Sequence, residues 1–157
     1  MANKTRLALD AAEQLAHRAL VASGTGAAAA ASTARALVSA EADGQAGHGL
    51  SRVPAYCAQV RSGKVKGDAR PQMTRIGRGA ARIDAGLGFS YPAIDLAIDT
   101  LTTMASEQAV AAVTIQHSHH FGQAGAHVER IASAGLLALM FGNTPRAMAF
   151  WAGTCRC

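Results

Sequence analysis

The apolar residues of this chain are spaced mainly as helices over the first sixty positions and alternate between helix and strand spacing in the second half, and that contrast constrains the fold more than any single motif. The helical part comes first. In "DAAEQLAHRALVASG", Ala11, Leu15, Ala19 and Leu20 recur on one face, and Asp10 followed by Glu13 reads as a capping box, so a helix is expected over about 11–23 with Gly24 as its stop. The preceding "RLAL" reads as a short strand. "AAAAASTARALVSAEADG" predicts a second helix ending before Gly44, and "SRVPAYCAQVRSG" a third, with Ser51 as N-cap, Pro54 in the first turn and Gly63 as the stop. After residue 70 the pattern alternates. "QMTRIGRGAARID" predicts a hairpin around Gly77 and Gly79, and Ile94, Ile98, Leu101 and Met104 mark a helix. "AVAAVTIQ" and "LLALMFGN" read as strands buried on both faces, with the helix "QAGAHVERIASAG" between them. An α+β fold follows, with an N-terminal helical region over 1–70 and the start of a mixed α/β region over 71–157.

Composition fits a folded domain of this kind. Half of the 157 residues are hydrophobic, enough for a sizeable core, while aromatics are only 4% and Ala and Gly are abundant, so small side chains must pack closely. No apolar run reaches the ~18 residues of a membrane span, and "MANKTRLALDAAEQL" lacks the apolar core of a secretory signal. A cytoplasmic protein without a membrane partner is expected. Cys57, Cys155 and Cys157 give neither a disulfide framework nor paired zinc-ligand spacing. The net charge of +5 concentrates in Arg61, Lys64, Lys66, Arg70, Arg75, Arg78 and Arg82. With no interleaved aromatics and no nucleic-acid-binding signature, this stretch reads as a solvated basic face or a site for small anions, and nucleic acid is not an expected partner.

Chemistry concentrates in two places. In "EADGQAGHGLSRVPAY" a Gly-flanked turn presents His48, with Arg52 four residues on. Histidine exchanges protons near neutral pH, and arginine offers a planar fork to a carboxylate, a pairing suited to a small oxo or hydroxy acid. The second place is "TIQHSHHFGQAG", where His117, His119 and His120 lie between an apolar strand and a helix. Strand alternation would point His119 and His120 apart, and neither an H-E-x-x-H helix nor a cysteine pair is near, so no metal is expected. His17 and His127 read as structural.

Together these segments resemble a family. "EADGQAGHGLSRVPAY" looks like the D-x-x-G-x-x-S-H-G-x-x-R-x-x-x-Y signature of the malate/L-lactate dehydrogenases that do not use the Rossmann fold. Their relatives include ureidoglycolate, diketogulonate and sulfolactate dehydrogenases and cyclic imine reductases. "AVAAVTIQHSHHFGQAGAHVERIASAGLLALMFGNT" is similar to that family's following region, and the order and spacing agree along nearly the whole chain. The resemblance implies that 71–157 begins a non-Rossmann cofactor domain. It also implies that His48 and His120 transfer the proton of the substrate hydroxyl, that Arg52 holds its carboxylate, and that Asn143 and Thr144 meet the nicotinamide of NAD or NADP. The implied partners are a small 2-hydroxy or 2-oxo acid and, at full length, a second copy in a homodimer. Gly47 stands where the family usually has Ser, a form shared by some sulfolactate-type relatives.

The resemblance also implies a chain cut short. Family members continue through a "WGG" turn into "F-G-T-N-P", whereas "MAFWAGTCRC" begins like that turn and stops, with "TCRC" reading either as an out-of-frame tail or as the end of a deliberately shortened chain. An N-terminal fragment, inactive by itself, is expected. The competing readings are a cyclic imine reductase of the same family, a non-enzymatic protein with exposed strands, and an anion- or nucleic-acid-binding module built on 61–82.

Overall fold

The computed structural model describes residues 6–143. Helices α1 (Leu9–Ala22) and α2 (Ala27–Ala42) form an antiparallel pair, followed by a 3-10 turn at Leu50–Arg52 and α3 (Val53–Arg61). A hairpin of β1 (Gln72–Arg75) and β2 (Ala80–Asp84) leads into the long α4 (Ser90–Gln108), β3 (Ala112–Gln116) and α5 (Ala124–Ala132).

Small residues set the helical layer. Ala12, Ala16 and Leu20 recur at every fourth position of α1 and are buried, and α2 buries Ala30, Ala34, Leu37 and Val38. Alanine is the best helix former, and its short side chain lets two helix axes approach closely. Tyr56 and Cys57 of α3 close this core, and Phe89 and Tyr91 enter it from beyond the hairpin.

The sheet has the order β1-β2-β3, with β1 antiparallel and β3 parallel to β2. Helix α4 is the crossover that a parallel pair requires. It packs Ala93 and Ala97 against Ile83 and Ala85, with Val113 and Ile115 of β3 alongside. Its other side, Ile94 and Ile98, meets Ile131 of α5. Asp95 binds these layers from a half-buried position, accepting hydrogen bonds from Arg35 of α2 and Arg130 of α5, each at 2.7 Å, and from Ser32.

Five local expectations change. "RLAL" forms no strand, since residues 6–8 lack regular structure and Leu9 already opens α1. Asp10 lies inside the first helical turn, Ala8 occupies the cap position and no side chain caps it, so the acidic residue acts on the helix dipole rather than as half of a capping box. Ser51 falls within the 3-10 turn and gives its hydroxyl to the Ala46 carbonyl, which leaves Arg52 at the N-cap of α3. In β3 burial alternates along most of the strand, with Val113 and Ile115 covered and Ala112 and Thr114 exposed, because helices cover one face only. "LLALMFGN" is paired with no strand among the described residues. Leu136, Ala138 and Met140 turn inward onto Ile94, Ile98 and Ile131 while Leu137, Leu139 and Phe141 stay exposed. The continuous apolar run in the sequence suggested burial on both faces, but only one face is covered, and a strand also needs a partner to complete its hydrogen bonds.

Candidate active site

The parallel register matches Asp84 with Gln116, so β2 and β3 end together and release their loops on the same side of the sheet. Backbone bonds carry the two loops onward as a pair: Ala85 N–H to Gln116 O at 3.0 Å, Leu87 N–H to His117 O at 2.8 Å, and His119 N–H to Gly88 O at 3.1 Å. At the strand ends Asp84 accepts from Gln116, Gly86 and His117, which holds its carboxyl down at about 2. His117 itself adopts φ 50°. The chain has therefore left the β conformation before His119, and strand alternation no longer decides where the next rings point.

Both rings turn toward Tyr56, contrary to the expectation that they diverge. His119 meets the Tyr56 ring edge-on with centroids 5.0 Å apart and the Phe89 ring at 5.7 Å. Burial, reinforced by the neighbouring His120, Lys64 and Arg52, pushes its imidazole down to about 4. His120 places Nδ1 3.0 Å from the Tyr56 hydroxyl, and the Gly122 amide donates to the same Nδ1 at 3.3 Å. Ser90, the first residue of α4, fixes the loop by donating its hydroxyl to the His120 carbonyl at 2.6 Å. Burial lowers the His120 pKa, with Arg52 and then His48 adding to the effect.

His48 arrives from the helical layer. After α2 the chain winds through successive tight turns, with Gln45 N–H on Ala40 O, His48 N–H on Gln45 O and Gly49 N–H on Ala46 O. Glu41 at the end of α2 holds the turn by accepting the Leu50 amide at 2.9 Å. The result is a face-to-face stack of His48 and His120, centroids 5.2 Å apart and planes 13° from parallel. His48 Nδ1 is buried with no partner among the described residues. Arg52 spends its Nε on the Gly47 carbonyl at 2.5 Å, which keeps the guanidinium beside the turn that carries His48.

The stack borders a cleft of about 630 Å³ walled by Asp43, Gln45, His48, Phe121, Gln123 and Glu129 among others. Gln123 donates to Asp43 at 2.5 Å, tying the start of α5 to the end of α2, and its Oε1 is buried without a partner among the described residues. Phe121 lies parallel to His120 and carries Gly142 against its ring, where a Cβ would come within 2.5 Å. Asn143 is thus one residue from a cleft wall and exposed, whereas Thr144 lies outside the described residues. Among the described residues no group of three or more His, Cys, Asp or Glu is arranged to hold a metal ion, and no helix is long and apolar enough to cross a membrane.

Sequence reasoning named His48, Arg52 and His120, and the fold brings these three together. It missed Tyr56, although that residue closes the motif quoted above and stands four positions after Arg52, on the same helical face. It also missed Tyr91, 3.3 Å from the Tyr56 hydroxyl, and Gln123 with Asp43, which nothing in the local pattern marks.

An α+β protein that sets two facing imidazoles and a guanidinium close together at the edge of a cleft has the groups to bind a small acid and exchange a proton with it. The chain belongs to the malate/L-lactate dehydrogenase family, whose model matches residues 7–157. It is 49% identical over 147 residues to a (2R)-3-sulfolactate dehydrogenase (NADP(+)) of Chromohalobacter salexigens, covering 94% of this chain and 44% of that protein. It is 39% identical over 106 residues to a Delta(1)-pyrroline-2-carboxylate/Delta(1)-piperideine-2-carboxylate reductase of Pseudomonas putida, covering 68% and 31%. The fold is similar to that of delta1-piperideine-2-carboxylate reductase from Pseudomonas syringae pvar. tomato, with a TM-score of 0.80, 33% identity and coverage of 84% of this chain and 40% of that one. The chain spans less than half the length of each of these relatives.

Proposed function

We propose that this chain carries the proton-transfer and carboxylate-binding part of a nicotinamide-dependent oxidoreductase acting on a small 2-hydroxy or 2-oxo acid, with sulfolactate the first substrate to test. The observation that carries the reading is the stacking of His48 on His120 beside Arg52. A carboxylate paired with the Arg52 guanidinium would set the adjacent oxygen-bearing carbon near two imidazoles, and positioning of this kind removes much of the entropic barrier. The exchange of the hydroxyl proton then falls to one of these two imidazoles.

The nicotinamide, when bound, supplies or accepts the hydride. The described residues suit its uncharged end: Gln123 Oε1 and His48 Nδ1 are buried polar atoms with no described partner, and the cleft wall has the Phe121 ring. Gln123 would hold the carboxamide, with Asn143 at the margin. Asp43 and Glu129 on the same wall disfavour the pyrophosphate there, so its charge requires other residues. The name of the sulfolactate relative specifies NADP(+), which makes NADP the first cofactor to try.

A second reading is a cyclic imine reductase. It is favoured by the reductase relatives and by Asp43 and Glu129 in the cleft, whose charges suit a cationic iminium better than a dianionic acid. Following reduced-nicotinamide absorbance with 3-sulfopyruvate, oxaloacetate, pyruvate and a cyclic imine carboxylate tests both readings. Turnover of an oxo acid supports the first and turnover of the imine alone supports the second. Failure with all four in a protein of full family length would sink both.

A further inference from the structure

Two donors converge on one nitrogen of His120. The Gly122 amide can only donate, and it points at Nδ1 from 3.3 Å. The Nδ1 atom must therefore offer its lone pair, which makes the Tyr56 hydroxyl, 3.0 Å away, a second donor to the same nitrogen. The Tyr56 oxygen is in turn free to accept from the Tyr91 hydroxyl at 3.3 Å. Burial raises the pKa of both phenols, so both keep their protons. A directed chain results, from Tyr91 to Tyr56 to His120 Nδ1, and the imidazole is left with its single proton on Nε2. His48 has no such chain among the described residues, since its Nδ1 is buried there without a partner and no described group fixes its tautomer.

We propose that Tyr56 and the Gly122 amide lock His120 as the neutral Nε2–H tautomer, so that His120 serves as a fixed hydrogen-bond donor to the substrate oxygen while His48 alone exchanges the proton. This division of labour rests on the oxidoreductase reading above, whereas the tautomer lock does not. In the reducing direction, as hydride adds to the substrate carbon, the C=O π pair moves to oxygen, which takes the proton of the His48 imidazolium. His48 ends as a neutral imidazole, and His120 keeps its Nε2 proton throughout. A neutral donor suits this place because a second imidazolium stacked on the first would be repelled by it. Tyr56 is a positioning residue here, acting on substrate only through His120.

Long-range proton–nitrogen correlation on the chain labelled with 15N-histidine reads the lock directly. At neutral pH His120 should show a protonated Nε2 and a bare Nδ1, and this pattern should persist below the pH at which an ordinary histidine becomes charged. Tyr56→Phe should raise the His120 pKa and admit the Nδ1–H tautomer, with Tyr91→Phe doing the same more weakly. A His120 that is Nδ1-protonated or charged at neutral pH, or is unmoved by Tyr56→Phe, would overturn the lock. Solid-state spectra read the same shifts if the chain precipitates. The role is tested separately by turnover in a protein of full family length. Glutamine carries an N–H donor but cannot titrate, so His120→Gln should retain roughly tenfold or more of the activity lost in His120→Ala, with the pH profile in place. Equal loss in both variants overturns the donor role. Absence of turnover in the unsubstituted protein, with the tautomer pattern intact, counts against the oxidoreductase reading and leaves the lock supported.

Discussion

The rings of His48 and His120 lie face to face at 5.2 Å, one delivered by the turn after α2 and the other by the loop after β3. Two positive charges at that separation repel by roughly 3 kcal/mol at an effective dielectric constant near 20. The pair therefore resists holding two protons, and His48 contributes to the lowered pKa of His120 after burial and Arg52. His48→Asn should accordingly raise the His120 pKa, but only part of the way to its ordinary value. NMR titration of the histidine C–H resonances checks this. In an active full-length protein His48→Ala should also cut turnover by about two to four orders of magnitude, the usual worth of a positioned acid-base group.

Arg52→Lys should separate substrate from cofactor. The guanidinium uses Nε on the Gly47 carbonyl and keeps its two terminal nitrogens for a carboxylate. A lysine has one nitrogen and cannot do both. The Michaelis constant for the acid should rise by about an order of magnitude or more, with cofactor affinity nearly unchanged. Equal losses for both ligands would show Arg52 to be structural.

Gly122→Ala should damage stability and site together. The residue has φ 70°, and a Cβ would stand 2.8 Å from the Tyr91 hydroxyl. The left-handed conformation alone costs a residue with a Cβ about 1–2 kcal/mol, and displacing the buried tyrosine adds to it. A urea midpoint unchanged from the unsubstituted chain would count against this packing.

The parts of the site that were legible in the sequence are those written in local chemistry. His48 and Arg52 share one Gly-flanked motif, and His120 precedes a glycine at a helix start, so residue type and spacing marked them. The stack between them was not legible, because it depends on how the helical layer sits over the ends of β2 and β3. The divergence expected for His119 and His120 failed for a local reason. The left-handed backbone of His117 ends the strand early, and no residue type announced it. The order of helices and the hairpin were readable from periodicity and glycine positions, while "LLALMFGN" shows the limit of a continuous apolar run, which does not say whether a strand partner is present.

Acid should destabilise the fold over a defined window. The His119 imidazole is pushed from its ordinary 6.5 down to about 4, so the folded chain prefers it neutral while the unfolded chain takes up the proton near 6.5. The stabilisation is complete above about 6.5 and is lost progressively as pH falls toward 4. His120 and His127 are lowered in the same sense, and Asp84 acts only at lower pH, since its contribution is present above 3.8 and lost on approach to about 2. Melting temperature measured from pH 7 to pH 4 should fall, and His119→Asn should shallow that slope without abolishing it. A flat profile in the unsubstituted chain would refute the burial argument.

The last prediction concerns the segment after α5. Leu137, Leu139 and Phe141 stand 102%, 87% and 87% exposed, while their alternate neighbours Leu136, Ala138 and Met140 pack on Ile94, Ile98 and Ile131. Covering each large side chain is worth roughly 1.5–3 kcal/mol, and no described strand occupies the backbone hydrogen bonds of this segment. Both the side chains and the backbone therefore favour contact with another copy. The 157-residue chain should elute as oligomers or aggregates in size-exclusion chromatography. Leu137→Lys with Leu139→Lys should move it toward the monomer, with the circular dichroism spectrum unchanged because the inward-facing residues are untouched. A monodisperse monomer before substitution would show that this apolar face is tolerated in water.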